Sequence, residues 1–257
     1  MDEPKRTLYV WDLPVRITHW VTVISIVILT ITGLYIANPF ITTEGPAVGQ
    51  YLMGTVRLIH YITAFIFTTS VLFRIYWAFV GSKYARWNQF LPASLRRLRD
   101  LGRMVRYYTF TRRDPPAEIG HNPLAGVTYV GVFLLFIVQI ITGFALYSLP
   151  YQDGWIKAGF GWVIVLFGAQ PVRLVHYLIM FLLIAFTIHH VYSAVLIDIE
   201  EKSGLVSSMI TGRKSLSARH IAEAEEPGGT ARQVRSSPGG ELGQQPSGGQ
   251  AESGVTA

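Results

Sequence analysis

Four long apolar runs, at about residues 17–37, 56–80, 125–149 and 172–197, constrain this chain more than anything else in its sequence. Each reaches or exceeds the ~20 residues that cross a bilayer as a helix. Half of the 257 residues are hydrophobic and 15% are charged, a balance rare in a water-soluble domain of this size. The expected fold is an all-α integral membrane protein, a bundle of four transmembrane helices. A fifth run, 158–169, is too short to span and is interrupted by glycine, so it is expected at the membrane interface. The first run lacks a small-residue cleavage site and reads as a resident helix rather than a removable signal.

Charge sets the expected topology. The segment between the second and third runs carries nine Lys/Arg, namely Lys83, Arg86, Arg96, Arg97, Arg99, Arg103, Arg106, Arg112 and Arg113. The N-terminal arm adds Lys5, Arg6 and Arg16, whereas 38–55 has none and 150–171 has only Lys157. The positive-inside bias therefore puts both termini and the middle loop in the cytoplasm, as for a bacterial inner-membrane protein. The arginines are accounted for by topology and need no nucleic acid. Within the loop, Leu95, Leu98, Leu101 and Val105 recur at helical spacing behind Ser94, the pattern of a basic amphipathic helix on the inner leaflet. Residues 1–214 are read as one membrane domain. Residues 215–257, a cytoplasmic tail rich in Gly, Ser, Gln, Pro and Glu, carry no apolar period and are expected to be disordered.

Four histidines stand near the ends of the runs. His176 and His190 are fourteen residues apart on the last run, close to four helical turns, so they share a face about 21 Å apart along the axis. His19 lies near the cytoplasmic end of the first run and His60 near the outer end of the second. Depth then pairs His60 with His176 outside and His19 with His190 inside. Intramembrane ionisable side chains are costly and mark function by default, and two imidazoles at each of two depths suit two stacked bis-histidine haems. The chain has no cysteine, which excludes thioether-attached haem and Cys-ligated Fe–S clusters. Any haem here must therefore be held by side-chain ligation and packing alone. His189 competes with His190 but points about 140° from the His176 direction, against about 40° for His190.

The surroundings repeat. Arg57-Leu58-Ile59-His60-Tyr61 resembles Arg173-Leu174-Val175-His176-Tyr177, each arginine on its histidine's face. These arginines run against the charge bias and suit outward-directed haem propionates, with snorkelling as the plain structural alternative. Ile31-Thr32-Gly33 resembles Ile141-Thr142-Gly143, and glycine at Gly33 and Gly143 would let a flat macrocycle approach the backbone, with helix packing the alternative. Together the repeats suggest a duplicated helix pair. Arg74, fourteen after His60, lies at the inner haem's depth, where it could meet propionates or a quinone. His121, His189 and Lys83 are further quinone-site candidates, and Trp20 and Trp77 could flank the ring or belong to an interfacial belt.

These residues resemble the membrane cytochrome b subunit of nickel–iron hydrogenases. The likeness is carried by the stretch from Val10 to Trp20, by Arg57 to Tyr61, by the stretch from Arg74 to Arg86, and by that from His190 through Ser208-Met209-Ile210-Thr211-Gly212. It covers roughly residues 8 to 214. It implies a four-helix core with two haem b groups on His19, His60, His176 and His190. It also implies electron transfer from the Fe–S small subunit of an external hydrogenase, partnered by a Ni–Fe large subunit, to membrane quinone. The chain would not activate hydrogen itself. A formate dehydrogenase cytochrome or a stand-alone b561-like cytochrome is similar in plan. A haem-free anchor or transporter is the alternative of another class.

Overall fold

The computed structural model describes residues 5–41, 51–82, 85–86, 102, 106, 123–201 and 203–217. In chain order these form β1 (Lys5–Tyr9), α1 (Leu13–Ala37), α2 (Leu52–Val80), α3 (Pro123–Tyr147), α4 (Trp155–Phe167), α5 (Ala169–Glu201), α6 (Leu205–Thr211) and β2 (Arg213–Ser217). Four helices, α1, α2, α3 and α5, are long and apolar enough to cross a membrane. Their large apolar side chains lie mostly on the outside, Ile24, Ile31, Leu134 and Ile188 among them. That arrangement belongs to a helix bundle whose solvent is lipid. The protein is a multi-pass membrane protein with the expected helical fold.

The helices outrun the apolar runs. α1 begins at Leu13 rather than 17, with Pro14 in its first turn where the missing N–H costs nothing. α2 begins at Leu52 rather than 56, and α5 extends from Ala169 to Glu201 rather than 172–197. α3 ends at Tyr147, two residues short of the expected 149. Backbone hydrogen bonding continues past the hydrocarbon edge because a helix end is set by caps and breakers rather than by hydropathy. The short run is the helix α4, whose Gly159 and Gly161 do not break it. Gly168 (φ +79°), a conformation costly for other residues, turns the chain from α4 into α5.

α1 packs along α2, and α3 along α5. Small hydroxyl residues let the first pair approach closely: Thr18 and Ser25 of α1 and Thr63 and Ser70 of α2 are buried. Ser70 Oγ donates to the Thr18 carbonyl at 3.1 Å and lies 3.1 Å from Thr22 Oγ1. Such interhelical bonds hold helices together where lipid removes the hydrophobic drive. The two pairs meet through an apolar layer at mid-depth, formed by Phe67 and Val71 of α2, Val132 and Phe136 of α3, and Ile179 and Leu183 of α5.

The end of the bundle that carries His19 is closed by a cap absent from the hydropathy pattern. β1 pairs antiparallel with β2, Lys5 opposite Ser217 and Tyr9 opposite Arg213. The strand β2 runs three residues past the 214 boundary read from composition. Val10 N and Trp11 N donate to the Gly212 carbonyl at 2.8 and 3.2 Å. The Trp11 indole donates to Ser208 Oγ at 2.9 Å, the Trp20 indole donates to the Met209 carbonyl at 3.0 Å, and Arg16 donates to the Ile210 carbonyl. Gly212 (φ +79°) has no room for a side chain, since a Cβ would stand 2.7 Å from Tyr9 Cε2. Of the basic loop only Gly102 and Arg106 between residues 87 and 122 are described, both helical. The amphipathic pattern from Ser94, Lys83, His121 and the tail beyond Ser217 lie outside the described residues.

Candidate functional site

The four histidines stand at two levels between the helix pairs. His19 of α1 and His190 of α5 face one another with ring centroids 6.5 Å apart and planes at 59°. Phe186 stacks on His190 at 5.5 Å and Tyr129 of α3 meets it edge-on at 5.9 Å. Trp20 lies edge-on to His19 at 5.3 Å. At the other level, His60 of α2 and His176 of α5 are close enough to interact electrostatically. The apolar layer of Phe67, Phe136 and their neighbours lies between the levels.

His60 and His176 are gripped in the same way. Thr32 Oγ1 lies 2.8 Å from His60 Nδ1, and Thr142 Oγ1 lies 3.0 Å from His176 Nδ1. Each threonine hydroxyl also donates 2.7 Å to the carbonyl four residues back, Ile28 or Val138. The adjoining glycines fit against the rings. A Cβ on Gly33 would lie 3.5 Å from His60 Cε1, and one on Gly143 would lie 3.1 Å from His176 Cε1. The space these glycines leave is thus filled by the imidazole edge. The second near-repeat packs on the first in both halves, α1 on α2 and α3 on α5. Gln139 Nε2 stands 3.3 Å from His176 Nε2, and Gln139 Oε1 is buried with no partner among the described residues.

The level of His19 and His190 differs. The Tyr129 hydroxyl is 3.5 Å from His190 Nδ1, and His19 Nδ1 is buried with no partner among the described residues. His189 is exposed, turned away from the facing rings, with Ser193 Oγ 3.4 Å from its Nε2. Arg74 reaches towards the cap, with Nη2 3.5 Å from the Ala85 carbonyl and its charge felt by Asp12. Asp12 Oδ2 accepts from the Trp77 indole at 2.9 Å and from Ser82 N at 3.0 Å. Burial, the largest single influence, pushes the Asp12 carboxyl up. The Ser82 and Trp77 hydrogen bonds and the Arg74 charge outweigh it, and Asp12 titrates below its ordinary 3.8. Arg57 and Arg173 are exposed at the far end of the bundle, and Arg173 Nη1 donates to Gln170 Oε1 at 2.8 Å.

This donor set can be tested for haem. Two metal–imidazole bonds of about 2 Å each would be spanned by two imidazoles whose ring centres stand roughly 6 Å apart. The 6.5 Å of His19 and His190 agrees. Imidazoles flanked by the aromatic rings of Trp20, Tyr129 and Phe186 suit a haem held by histidine. The residues fit the group.

A family model described as prokaryotic cytochrome b561 matches residues 10–212. The chain belongs to that family. Three relatives, each called a probable Ni/Fe-hydrogenase B-type cytochrome subunit (in Escherichia coli K12, of hydrogenase 1), agree with it over most of their length. The Azotobacter vinelandii protein is 40% identical over 212 residues, covering 80% of this chain and 87% of that protein. The Cupriavidus necator protein is 39% identical over 214 residues, 82% and 88%. The Escherichia coli K12 protein is 38% identical over 223 residues, 84% and 94%. The family match ends at Gly212, the residue that takes the hydrogen bonds of Val10 and Trp11.

As a prokaryotic cytochrome b561, this chain has site neighbours to which its sequence assigned no role: Thr32 and Thr142, present in the repeat, and Tyr129 and Gln139. Their signal was present in the repeat register. Gly33 and Gly143 are 110 positions apart, and so are Thr32 and Thr142, and His19 and Tyr129. His60 and His176 are 116 apart, as are Arg74 and His190.

Proposed function

We propose that this chain is the dihaem, membrane-anchoring electron-transfer subunit of a nickel–iron hydrogenase. It sits in the bacterial inner membrane with both termini cytoplasmic, and relays electrons from the Fe–S small subunit on the outer side to quinone on the inner side. His60 and His176 hold one haem b, and His19 and His190 hold the other. The observation that carries this reading is the two-level histidine arrangement, with facing rings 6.5 Å apart at the level nearer the termini. The names of the relatives supply the hydrogenase. Haem b supplies one-electron exchange between ferric and ferrous iron when bound.

The chain's own residues do the rest. His176 and His190 on one helix set the two levels about 21 Å apart by their fourteen-residue spacing. The layer of Phe67, Val71, Phe136 and Leu183 excludes water between the levels. Arg57 and Arg173 present guanidinium groups to propionates at the outer level. Arg74 puts positive charge near the inner pair, where quinone is reduced and takes its protons from the cytoplasm. Lys83, His121 and His189 are the other candidates for that site. The partners are the hydrogenase large and small subunits, quinone and lipid.

Single His→Ala variants test the reading. His60→Ala and His176→Ala should each lose one and the same haem, and His19→Ala and His190→Ala the other, by haem content and reduced-minus-oxidised spectra. If His19 and His60 behaved as a pair, the assignment would fail. In sealed vesicles with the hydrogenase outside, hydrogen-driven quinone reduction should alkalinise the lumen. Proton uptake from the outside would move the quinone site to the other level.

A further inference from the structure

We propose that Thr32 and Thr142 are positioning residues that fix the tautomer and raise the basicity of His60 and His176, so that the outer haem is held at a lower potential than the inner one. The inference rests on the reading of His60 and His176 as haem ligands and adds to it what sets those ligands.

The hydrogen bonding leaves one arrangement. A threonine hydroxyl has one proton and two lone pairs. In both halves the proton is committed to the carbonyl four residues back, at 2.7 Å. The oxygen facing the imidazole at 2.8 or 3.0 Å must therefore accept, and Nδ1–H of His60 and of His176 must donate. A neutral imidazole with its proton on Nδ1 carries a bare lone pair on Nε2, the atom that binds iron. Thr32 and Thr142 are both buried, so water does not compete for these bonds.

A ligating histidine that donates its other N–H to an acceptor is a stronger base and a better fixed ligand. A more basic imidazole favours ferric over ferrous iron, which lowers the potential. The inner level lacks this device. His19 Nδ1 has no partner among the described residues, and the hydroxyl near His190 Nδ1 stands 3.5 Å off and belongs to a phenol. The twofold repeat thus gives the two outer ligands equal support, and the inner ligands do not share it.

The experiment is a redox titration of the full chain in its hydrogenase complex, with the haem lost in His176→Ala serving to identify the outer centre. Thr32→Val and Thr142→Val keep the shape and remove the hydroxyl. Thr32→Ser and Thr142→Ser keep the hydroxyl. At a fixed applied potential, each Val variant should raise the reduced-to-oxidised ratio of the outer haem about threefold. The double Val variant should raise it about tenfold, or 59 mV for one electron. The inner haem should not move, and the Ser variants should match the wild type. Loss of the outer haem in the Val variants with retention in the Ser variants is the same result in stronger form. An unmoved outer potential in the double Val variant overturns the proposal, as does an equal shift of both haems or a Ser variant that behaves like Val. If His60→Ala and His176→Ala each keep both haems, the ligand reading itself has failed, and that outcome is visible before any threonine is changed.

Discussion

Gly33 and Gly143 occupy matching places in the repeat but do not leave matching room, and alanine should separate them. Neither has a positive φ, so alanine carries no backbone strain at either position. Replacing helical glycine by alanine gains about 0.5–1 kcal/mol at both. At Gly33 the new Cβ would meet His60 Cε1 at 3.5 Å and Met180 Sδ at 3.7 Å, ordinary contact distances, and nothing must move. At Gly143 it would meet His176 Cε1 at 3.1 Å and Nδ1 at 3.7 Å. Carbon atoms prefer about 3.5–4.0 Å, so the ring must retreat by a few tenths of an ångström. It is held from the same helix by Thr142 Oγ1 at 3.0 Å. Turning it off its rotamer costs about 0.5–1.5 kcal/mol, which roughly cancels the helix gain. Thermal stability should therefore barely change in Gly143→Ala and rise slightly in Gly33→Ala. A haem held by His60 and His176, as proposed, should report the difference. Gly143→Ala should shift its low-spin electron paramagnetic resonance signal or lower its occupancy, and Gly33→Ala should leave both as they are. If Gly33→Ala disturbed the outer centre as much as Gly143→Ala, the packing argument would be refuted.

Asp12→Asn should loosen the cap, because a neutral amide replaces the carboxylate that accepts from Trp77 and Ser82. Its folded pKa is depressed, so the stability Asp12 contributes is present above pH 3.8 and is lost as pH falls through the lower folded value. Thermal stability of the wild type should exceed that of Asp12→Asn at neutral pH and converge with it in acid. Parallel curves across that range would remove Asp12 from the cap. Arg57→Gln and Arg173→Gln should each lower the outer haem potential, since a nearby cation favours the more reduced state, and an unchanged potential in the double variant would assign both arginines to the membrane interface alone.

The helices were legible in sequence because a bilayer imposes length and hydropathy on any segment that crosses it. Their ends were not, since α2 runs on past Arg57 to Leu52 and α5 past Asp198 to Glu201, where hydropathy falls but backbone bonding does not. The β1–β2 ribbon left no local trace. Its strands are five residues each and about two hundred positions apart, and neither alternates strongly. Much of the stretches that carry the family likeness serves as structure. Val10, Trp11, Arg16 and Trp20 bind the segment from Ser208 to Gly212, and Trp77 and Ser82 bind Asp12. The threonines beside the histidines were visible as a repeat but not as partners, because a hydroxyl's role depends on which helix lies against it, and that is a tertiary fact.

The repeat also says where the two levels part company. At the level of His60 and His176 the repeat is intact: α2 and α5 each supply a histidine, and α1 and α3 each supply a threonine and a glycine against it. At the other level the equivalent positions hold His19 and Tyr129 on α1 and α3, and Arg74 and His190 on α2 and α5. One histidine comes from each class of helix. The two places that a symmetric site would leave redundant carry a phenol 3.5 Å from His190 Nδ1 and a guanidinium beside the Asp12 cap. Under the proposed function this is the useful asymmetry. An outer centre that only relays electrons needs two well-fixed ligands and a dry wall, which the intact repeat provides. An inner centre that hands electrons to quinone also needs positive charge and hydroxyl groups nearby, where charge develops and protons arrive. Divergence at two positions of a duplicated helix pair supplies both without changing the backbone that sets the spacing.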